Sequence, residues 1–321
     1  MENDMPARGA QSNPSVGTTT IIVGPTASGK TALSLLLARR MNAEIVSADS
    51  RQIYRHLTIG TAKPSDSDRS KVPHHFIDIL DPNQEYSAGE YGVQARGVLE
   101  EIQKRGKSAL VVGGSGLYVK ALVDGFFDGP GKDPEVRERL ERDLEREGIS
   151  GLLKKLEHVD PATAQAMTRE PKARRVMRAL EVYYSTGKPL SVHFSEQKRN
   201  PLSNFIMVAP LWERALLYKH IDERVVGMMK QGLLGEVRWL KSRGYHANLN
   251  ALNTVGYKEL FEHLEKKTSL DEAVSLIKLN TRRFAKRQMT WFRADKRIRW
   301  MPVSSERDFE RIASTILTMT V

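Results

Sequence analysis

Cysteine is absent from all 321 residues. Disulfides and thiolate-bound zinc are therefore excluded. Long apolar runs are missing too: no stretch approaches the roughly 18 residues that a membrane span requires. The opening residues, Met1 to Gly17, are polar and rich in Pro, Gly, Asn and Ser. They contain no apolar segment of the kind a secretory signal carries, so the expectation is a disordered lead over 1–17 and a cytoplasmic enzyme. Acid is in shorter supply than base, 39 Asp and Glu against 50 Lys and Arg, a net charge of +11. An excess of this size points to a polyanionic partner when it is concentrated. It is concentrated here: between Lys278 and Arg299 stand nine basic residues and one acid, Asp295, interleaved with Phe284, Trp291 and Phe292.

What is present begins with Gly24-Pro-Thr-Ala-Ser-Gly-Lys-Thr31, which satisfies G-x-x-x-x-G-K-[ST]. A β-branched run from Thr18 to Val23 precedes it and a helical pattern from Ala32 to Arg40 comes after it, the frame this motif needs. Glycines there let backbone N–H groups turn toward phosphate oxygens, and the helix N-terminus adds partial positive charge. Lys30 would meet the outer phosphate and the Thr31 hydroxyl would sit on Mg²⁺.

Further strands are expected at Glu44 to Ser47, His75 to Ile79, Lys107 to Val112, Asn204 to Pro210 and from Ile298. Helices are expected after Asp49 (a short one), over Ser87 to Gln103, from Leu117, and over Ala215 to Gln231, Gly235 to Ser242, Tyr257 to Glu265 and Asp271 to Phe292. Strands alternating with helices predict an α/β fold, a P-loop NTPase-like parallel sheet covered by helices. Between Asp133 and Gly187 the pattern is helical only, with Asp133-Pro134 and Asp160-Pro161 as helix starts. The expected organisation is a catalytic core over 18–130 and 204–321, with an all-helical insertion domain over 131–203.

Asp49 leaves the second strand on the edge that carries the glycine loop, where ligands of open α/β sheets bind. It could ligate Mg²⁺, act as a general base, or merely cap the short helix expected after it. Gly113 to Gly116 reads as a tight turn or as backbone that approaches a ligand. His74 and His75, adjacent on a strand, point to opposite faces and are read as structural. Arg174 and Arg178 share a helix face that is either solvated or set against phosphate.

Seven segments in order, from the glycine loop through Ser47-Ala-Asp-Ser-Arg-Gln-Ile-Tyr54, Ile59-Gly-Thr-Ala-Lys-Pro64, Val112-Gly-Gly-Ser-Gly-Leu-Tyr118, Arg178-Ala-Leu-Glu-Val182, Thr254-Val-Gly-Tyr-Lys-Glu-Leu260 and Ala285-Lys-Arg-Gln-Met-Thr-Trp-Phe-Arg293, resemble the bacterial tRNA dimethylallyltransferases. The resemblance implies transfer of the dimethylallyl group of dimethylallyl diphosphate to the exocyclic N6 amine of the adenine just 3′ of the anticodon. The products would be N6-isopentenyladenosine and diphosphate. It assigns Gly24, Pro25, Thr26, Ala27, Ser28, Gly29, Lys30 and Thr31 to the diphosphate, with Thr31 on Mg²⁺. Arg224 becomes a further diphosphate contact and Asp49 the general base. The flipped adenine and the anticodon stem-loop of tRNA fall to Asp49, Ser50, Arg51, Gln52 and Ser115. So do Arg137, Arg174, Arg175, Val176, Met177 and Arg178 of the insertion, and, nearer the C-terminus, Asn253, Thr254, Val255, Gly256, Tyr257, Lys258, Lys286, Arg287, Gln288 and Arg293. The missing cysteines exclude the zinc finger that the eukaryotic relatives add, no membrane partner is expected, and the protein is expected to be a monomer. A kinase using the same loop with ATP would not need the basic C-terminal third. A prenyltransferase of free AMP would need neither that patch nor the helical insertion.

Overall fold

The run Thr19-Thr-Ile-Ile-Val23 is buried along its whole length, as a strand covered on both faces must be. In the computed structural model, which describes residues 17–125, 129, 131, 133–196 and 201–320, this strand lies inside a six-stranded sheet. In chain order the elements begin β1 (Thr19–Val23), α1 (Lys30–Met41), β2 (Ala43–Ser47), α2 (Asp66–Lys71), β3 (His74–His75), α3 (Ala88–Lys104), β4 (Ser108–Gly113) and α4 (Gly116–Asp124). Next come α5 (Pro134–Val159), α6 (Pro161–Met167), α7 (Ala173–Thr186) and α8 (Leu190–Glu196). The chain finishes with β5 (Phe205–Trp212), α9 (Arg214–Lys230), α10 (Leu233–Ser242), α11 (Tyr257–Leu264), α12 (Leu270–Arg293), β6 (Ile298–Val303) and α13 (Asp308–Thr320).

The strands run in the order β3-β2-β4-β1-β5-β6, and every pairing is parallel. Side chains alternate across the sheet. Ile21, Val23, Val46 and Val111 join a core with Tyr91 and Leu99 of α3 and Ile277 of α12. Ile22, Ile45, Leu110 and Val208 face the other way, onto Leu33 and Leu37 of α1 and Phe309 and Ile312 of α13. This is a sheet with helices on both faces, the P-loop NTPase-like fold.

The described chain divides into two compact units. One runs to Val123 and resumes at Leu202; the other is Asp124–Pro201. The second contains only helices among its described residues, packed around Leu140, Leu152, Leu156, Val176 and Leu180. Its helix starts are those the sequence signals: Asp133 accepts from Glu135 and Val136 N–H, and Asp160 from Thr163 N–H, each ahead of a proline. Residues 1–16 of the expected disordered lead lie outside the described residues. Among the described residues no helix is long and apolar enough to cross a membrane.

Several local expectations change. The strand anticipated over His75 to Ile79 is only the pair His74–His75, because Phe76 and Asp78 take positive φ (62° and 57°). Asp78 is held there by ion pairs to Lys63 and Arg69. The short helix anticipated after Asp49 is a set of turns closed by a bridge between Tyr54 and Leu80. Helices α2, α8 and α13 have no counterpart among the expected elements, and α5 continues past a break at Gly148 (φ 67°).

Candidate active site at the carboxyl edge of the sheet

The glycine loop connects the end of β1 to α1. Gly29 takes φ 83° at the helix N-cap, and no side chain caps α1 or adds an acid to its first turn. The N-terminal donors of this twelve-residue helix are thus left for an anion. Other elements fix the loop's shape. A Cβ at Gly29 would stand 2.2 Å from the Phe309 ring of α13, so only glycine fits. Trp212, at the end of β5, donates its indole N–H to Ser28 O at 3.0 Å. Lys30 Nζ donates to Pro25 O at 2.6 Å across the loop.

Beside this cradle is a cavity of about 650 Å³ within the first unit. Thr26, Lys30, Thr31, Asp49 and Arg224 line it together. Burial and the neighbouring Arg224 push the Lys30 ammonium down to about 7, against a smaller upward pull from Asp49. Burial likewise lowers the Arg224 guanidinium, with Asp49 opposing. Two cations held together at such cost mark an anion site. Asp49 uses one oxygen, Oδ1, to accept from Arg51 N–H at 2.9 Å and Gln52 N–H at 3.4 Å. Oδ2 accepts nothing among the described residues, so the carboxylate caps its turn and still offers an oxygen to the cavity.

The turn Gly113 to Gly116 supports the Asp49 loop by its backbone. Ser115 N–H donates to Ala48 O at 3.1 Å, and Ser115 Oγ accepts from Ser50 N–H at 2.9 Å. Gln52 spends its side-chain amide N–H on the carbonyls of Thr61 and Ala62, both at 3.2 Å. Loop 58–60 is tied in turn by Glu236 of α10, which accepts from Thr58, Ile59 and Gly60 N–H at 3.0, 2.8 and 3.2 Å and from Tyr257 Oη at 2.6 Å. Glu259 accepts from Gly256 N–H and from Asn280 Nδ2, each at 2.8 Å, fastening the 253–256 loop to α12.

Of the residues anticipated for RNA, Ser50, Arg51, Gln52, Ser115, Asn253, Thr254, Val255, Gly256, Lys258, Arg287 and Gln288 line the same cavity. Lys286 and Arg293 are exposed on α12 and do not line it. Arg137, Arg174, Arg175, Met177 and Arg178 belong to the helical unit. There Arg174 and Arg175 are exposed, while Arg178 pairs with buried Glu181 at 3.0 Å. Two expected contacts are corrected. Val176 and Tyr257 are 0% exposed, the first in the core of α5 to α8 and the second bonded to Glu236, so neither side chain is open to RNA. Trp212, Phe309, Glu236 and Glu259 were not signalled by the sequence. Only Trp212, whose indole N–H demands a partner when buried, could have been suspected.

A P-loop enzyme of the α/β class, built to hold a phosphorylated compound beside a carboxylate, is what this edge defines. Comparison carries the assignment further. The family described as IPP transferase matches residues 52–295. The tRNA dimethylallyltransferase of Pelotomaculum thermopropionicum is 44% identical over 301 residues, 94% of this chain and 95% of its own. That of Carboxydothermus hydrogenoformans is 45% identical over 300 residues, 93% and 96% respectively. Among solved structures, the full-length tRNA isopentenylpyrophosphate transferase of Bacillus halodurans is 37% identical with a TM-score of 0.69, covering 94% of this chain and 96% of that one. A eukaryotic dimethylallyltransferase acting on tRNA reaches a TM-score of 0.80 at 27% identity over 94% of this chain and 77% of that one. The chain belongs to the IPP transferase family, the tRNA dimethylallyltransferases: it is an enzyme that transfers a prenyl group to tRNA.

Proposed function

We propose that the cavity binds dimethylallyl diphosphate by its two phosphoryl groups and receives the adenine 3′ of the anticodon beside Asp49. The observation that carries this is the joint lining of one cavity by Lys30, Thr31, Arg224 and Asp49. Backbone N–H groups of Ala27 to Thr31 and the cations Lys30 and Arg224 neutralise the diphosphate, most strongly as it leaves. Val225, Met228, Ile277 and Phe284 give the same cavity an apolar wall for the five-carbon chain. The adenine, taken out of its stack, enters past Ser50 and Arg51. Its N6 forms a bond to C1 of the dimethylallyl group as the C1–O bond breaks and the electron pair departs with diphosphate. The N6 proton passes to Asp49 Oδ2.

The donor set suits a hard cation that keeps most of its waters: Thr31 is exposed at the loop and lines the same cavity as Asp49. Mg²⁺ held by Thr31 and diphosphate oxygens would offset the charge of the leaving group. Arg174, Arg175, Lys286, Arg287 and Arg293 supply phosphate contacts along the anticodon stem-loop. A tRNA substrate places the activity in the cytoplasm.

The test is incubation with labelled dimethylallyl diphosphate, Mg²⁺ and either unmodified tRNA or AMP. Label in tRNA and not in AMP is expected. Label in AMP alone, or phosphate transfer from ATP, would overturn the reading.

A further inference from the structure

Gln288 sits on α12 between Arg287 and Trp291, both of which line the cavity, yet it is only 7% exposed. Both ends of its amide are committed. Oε1 accepts from Thr26 N–H at 2.9 Å, and Nε2 donates to Gly114 O at 2.9 Å. The amide's orientation is dictated by these partners, one a donor and one an acceptor. Contact is close: a Cβ at Gly114 would come within 2.4 Å of Nε2, so a side chain there would have to displace the Gln288 amide. Thr26 belongs to the loop assigned to diphosphate. Gly114 precedes Ser115, whose N–H and Oγ hold Ala48 and Ser50 on either side of Asp49. One side chain thus joins three segments spread across 262 residues of sequence: the glycine loop, the turn after β4 and the basic helix.

We propose that Gln288 is a positioning residue for prenyl transfer and not an RNA contact. It fixes the distance between the loop that holds the donor and the turn that supports the base, and it ties both to the helix bearing Lys286 and Arg287. The proposal rests on the function given above for its catalytic consequence, but its structural half is testable without any transfer. Removing either hydrogen bond frees a buried group, and each is worth about a tenfold effect.

The experiment compares the wild-type protein with Gln288→Leu, which removes both bonds, and Gln288→Glu, which keeps only the acceptor for Thr26. Three quantities are measured: hydrogen exchange at the Thr26 amide, affinity for inorganic diphosphate with Mg²⁺, and affinity for tRNA at several salt concentrations. With Gln288→Leu, Thr26 exchange and the diphosphate Kd are expected to rise about tenfold or more, while the tRNA Kd and its salt slope stay within about twofold. With Gln288→Glu, Thr26 protection and most of the diphosphate affinity return, and kcat stays low because the Gly114 carbonyl now faces a carboxylate. Unchanged Thr26 exchange in Gln288→Leu would overturn the proposal. So would a tenfold loss of tRNA affinity with diphosphate binding intact, which would restore the RNA-contact role. Failure of the wild-type protein to label tRNA would overturn the proposed function instead, leaving the exchange and diphosphate results to decide on Gln288.

Discussion

The two ends of the sheet bury charge in opposite ways. Near the amino edge, Glu44 of β2 is enclosed, its side chain 6% exposed, and three side chains converge on it: the cations Arg105 at 2.7 Å and Lys107 at 3.0 Å, and the His75 imidazole at 2.8 Å. Burial opposes the carboxylate, but the hydrogen bonds from His75, Lys107 and Arg105 outweigh it and hold the group at about 2. At the carboxyl edge, Lys30 and Arg224 share one cavity with two carboxylates; Glu259 is spent on Gly256 N–H and Asn280, so Asp49 alone acts on the pair, and burial keeps the lysine at about 7. The first arrangement is complete in itself and serves the fold. The second is paid for by the fold and completed by a ligand. What separates a structural ion cluster from a binding site is whether the charges already add up.

This contrast can be broken by removing one charge at a time. The largest effect is expected at Asp49. Replacing it with Ala should lower kcat about a thousandfold, the range of a positioned general base, while tRNA affinity stays within about twofold. A tRNA affinity that falls as far as the rate would remove Asp49 from the base role.

Lys30→Met comes next, and it should act on function and stability with opposite signs. Loss of the ammonium should weaken binding of inorganic diphosphate by about a hundredfold. Yet the folded-state value lies below the ordinary 10.5, so the charged lysine costs stability at every pH below about 7, and that cost fades as pH rises toward 10.5. The variant is therefore expected to be more stable than wild type at pH 6, by about 1 to 2 kcal/mol, and to melt at a higher temperature. A lower melting temperature at that pH would contradict the claim.

Glu44→Gln should do the reverse: transfer activity unchanged and stability lower by about 2 kcal/mol, since its partly exposed partners recover some hydration. The carboxylate is held below its ordinary 4.5, so its contribution is full above that pH and is lost as pH falls toward 2. The stability gap between the two proteins should therefore begin to narrow below about pH 4.5 and close only near pH 2. A gap that persists there would mean that charge is not the source.

The smallest effects belong to the outer basic residues. Lys286→Ala and Arg293→Ala should each reduce the slope of log K against log salt for tRNA by roughly one and leave diphosphate binding alone. An unchanged slope would remove that residue from the phosphate contacts.

The sequence made the site's centre legible because its signals are local. Gly24 to Thr31 lies between a strand and a helix, and Asp49 follows the end of the next strand, so both fall on one edge of any parallel sheet. Five of the six strands were legible from their apolar, β-prone runs, and the third was placed over 75–79 where the chain turns away after His75. Their order was not, since it depends on pairings such as Thr19 with Phe205 that no local pattern encodes. The supports of the site were hidden for the same reason. Glu236 reaches backbone N–H groups some 178 residues away, and Phe309, which fills the space beside Gly29, lies on a helix that the charged stretch after β6 concealed. The helix at Asp49 failed because Asp49, Ser115 and Gln52 offer the backbone turn-stabilising partners in place of helical ones. Family likeness alone carried Val176 and Tyr257 to the RNA; side-chain burial removes them.

The idea that the carboxyl edge keeps Lys30 from its charge until a diphosphate arrives is tested most directly by the protons taken up when it binds. Calorimetric titration of inorganic diphosphate and Mg²⁺ into the protein at pH 8, in two buffers of different ionisation enthalpy, should show close to one more proton captured per site by wild type than by Lys30→Met, as the lysine regains its charge against the anion. Equal proton counts for the two proteins would mean that Lys30 is already charged at pH 8 or does not meet the diphosphate, and the account of this edge would be wrong.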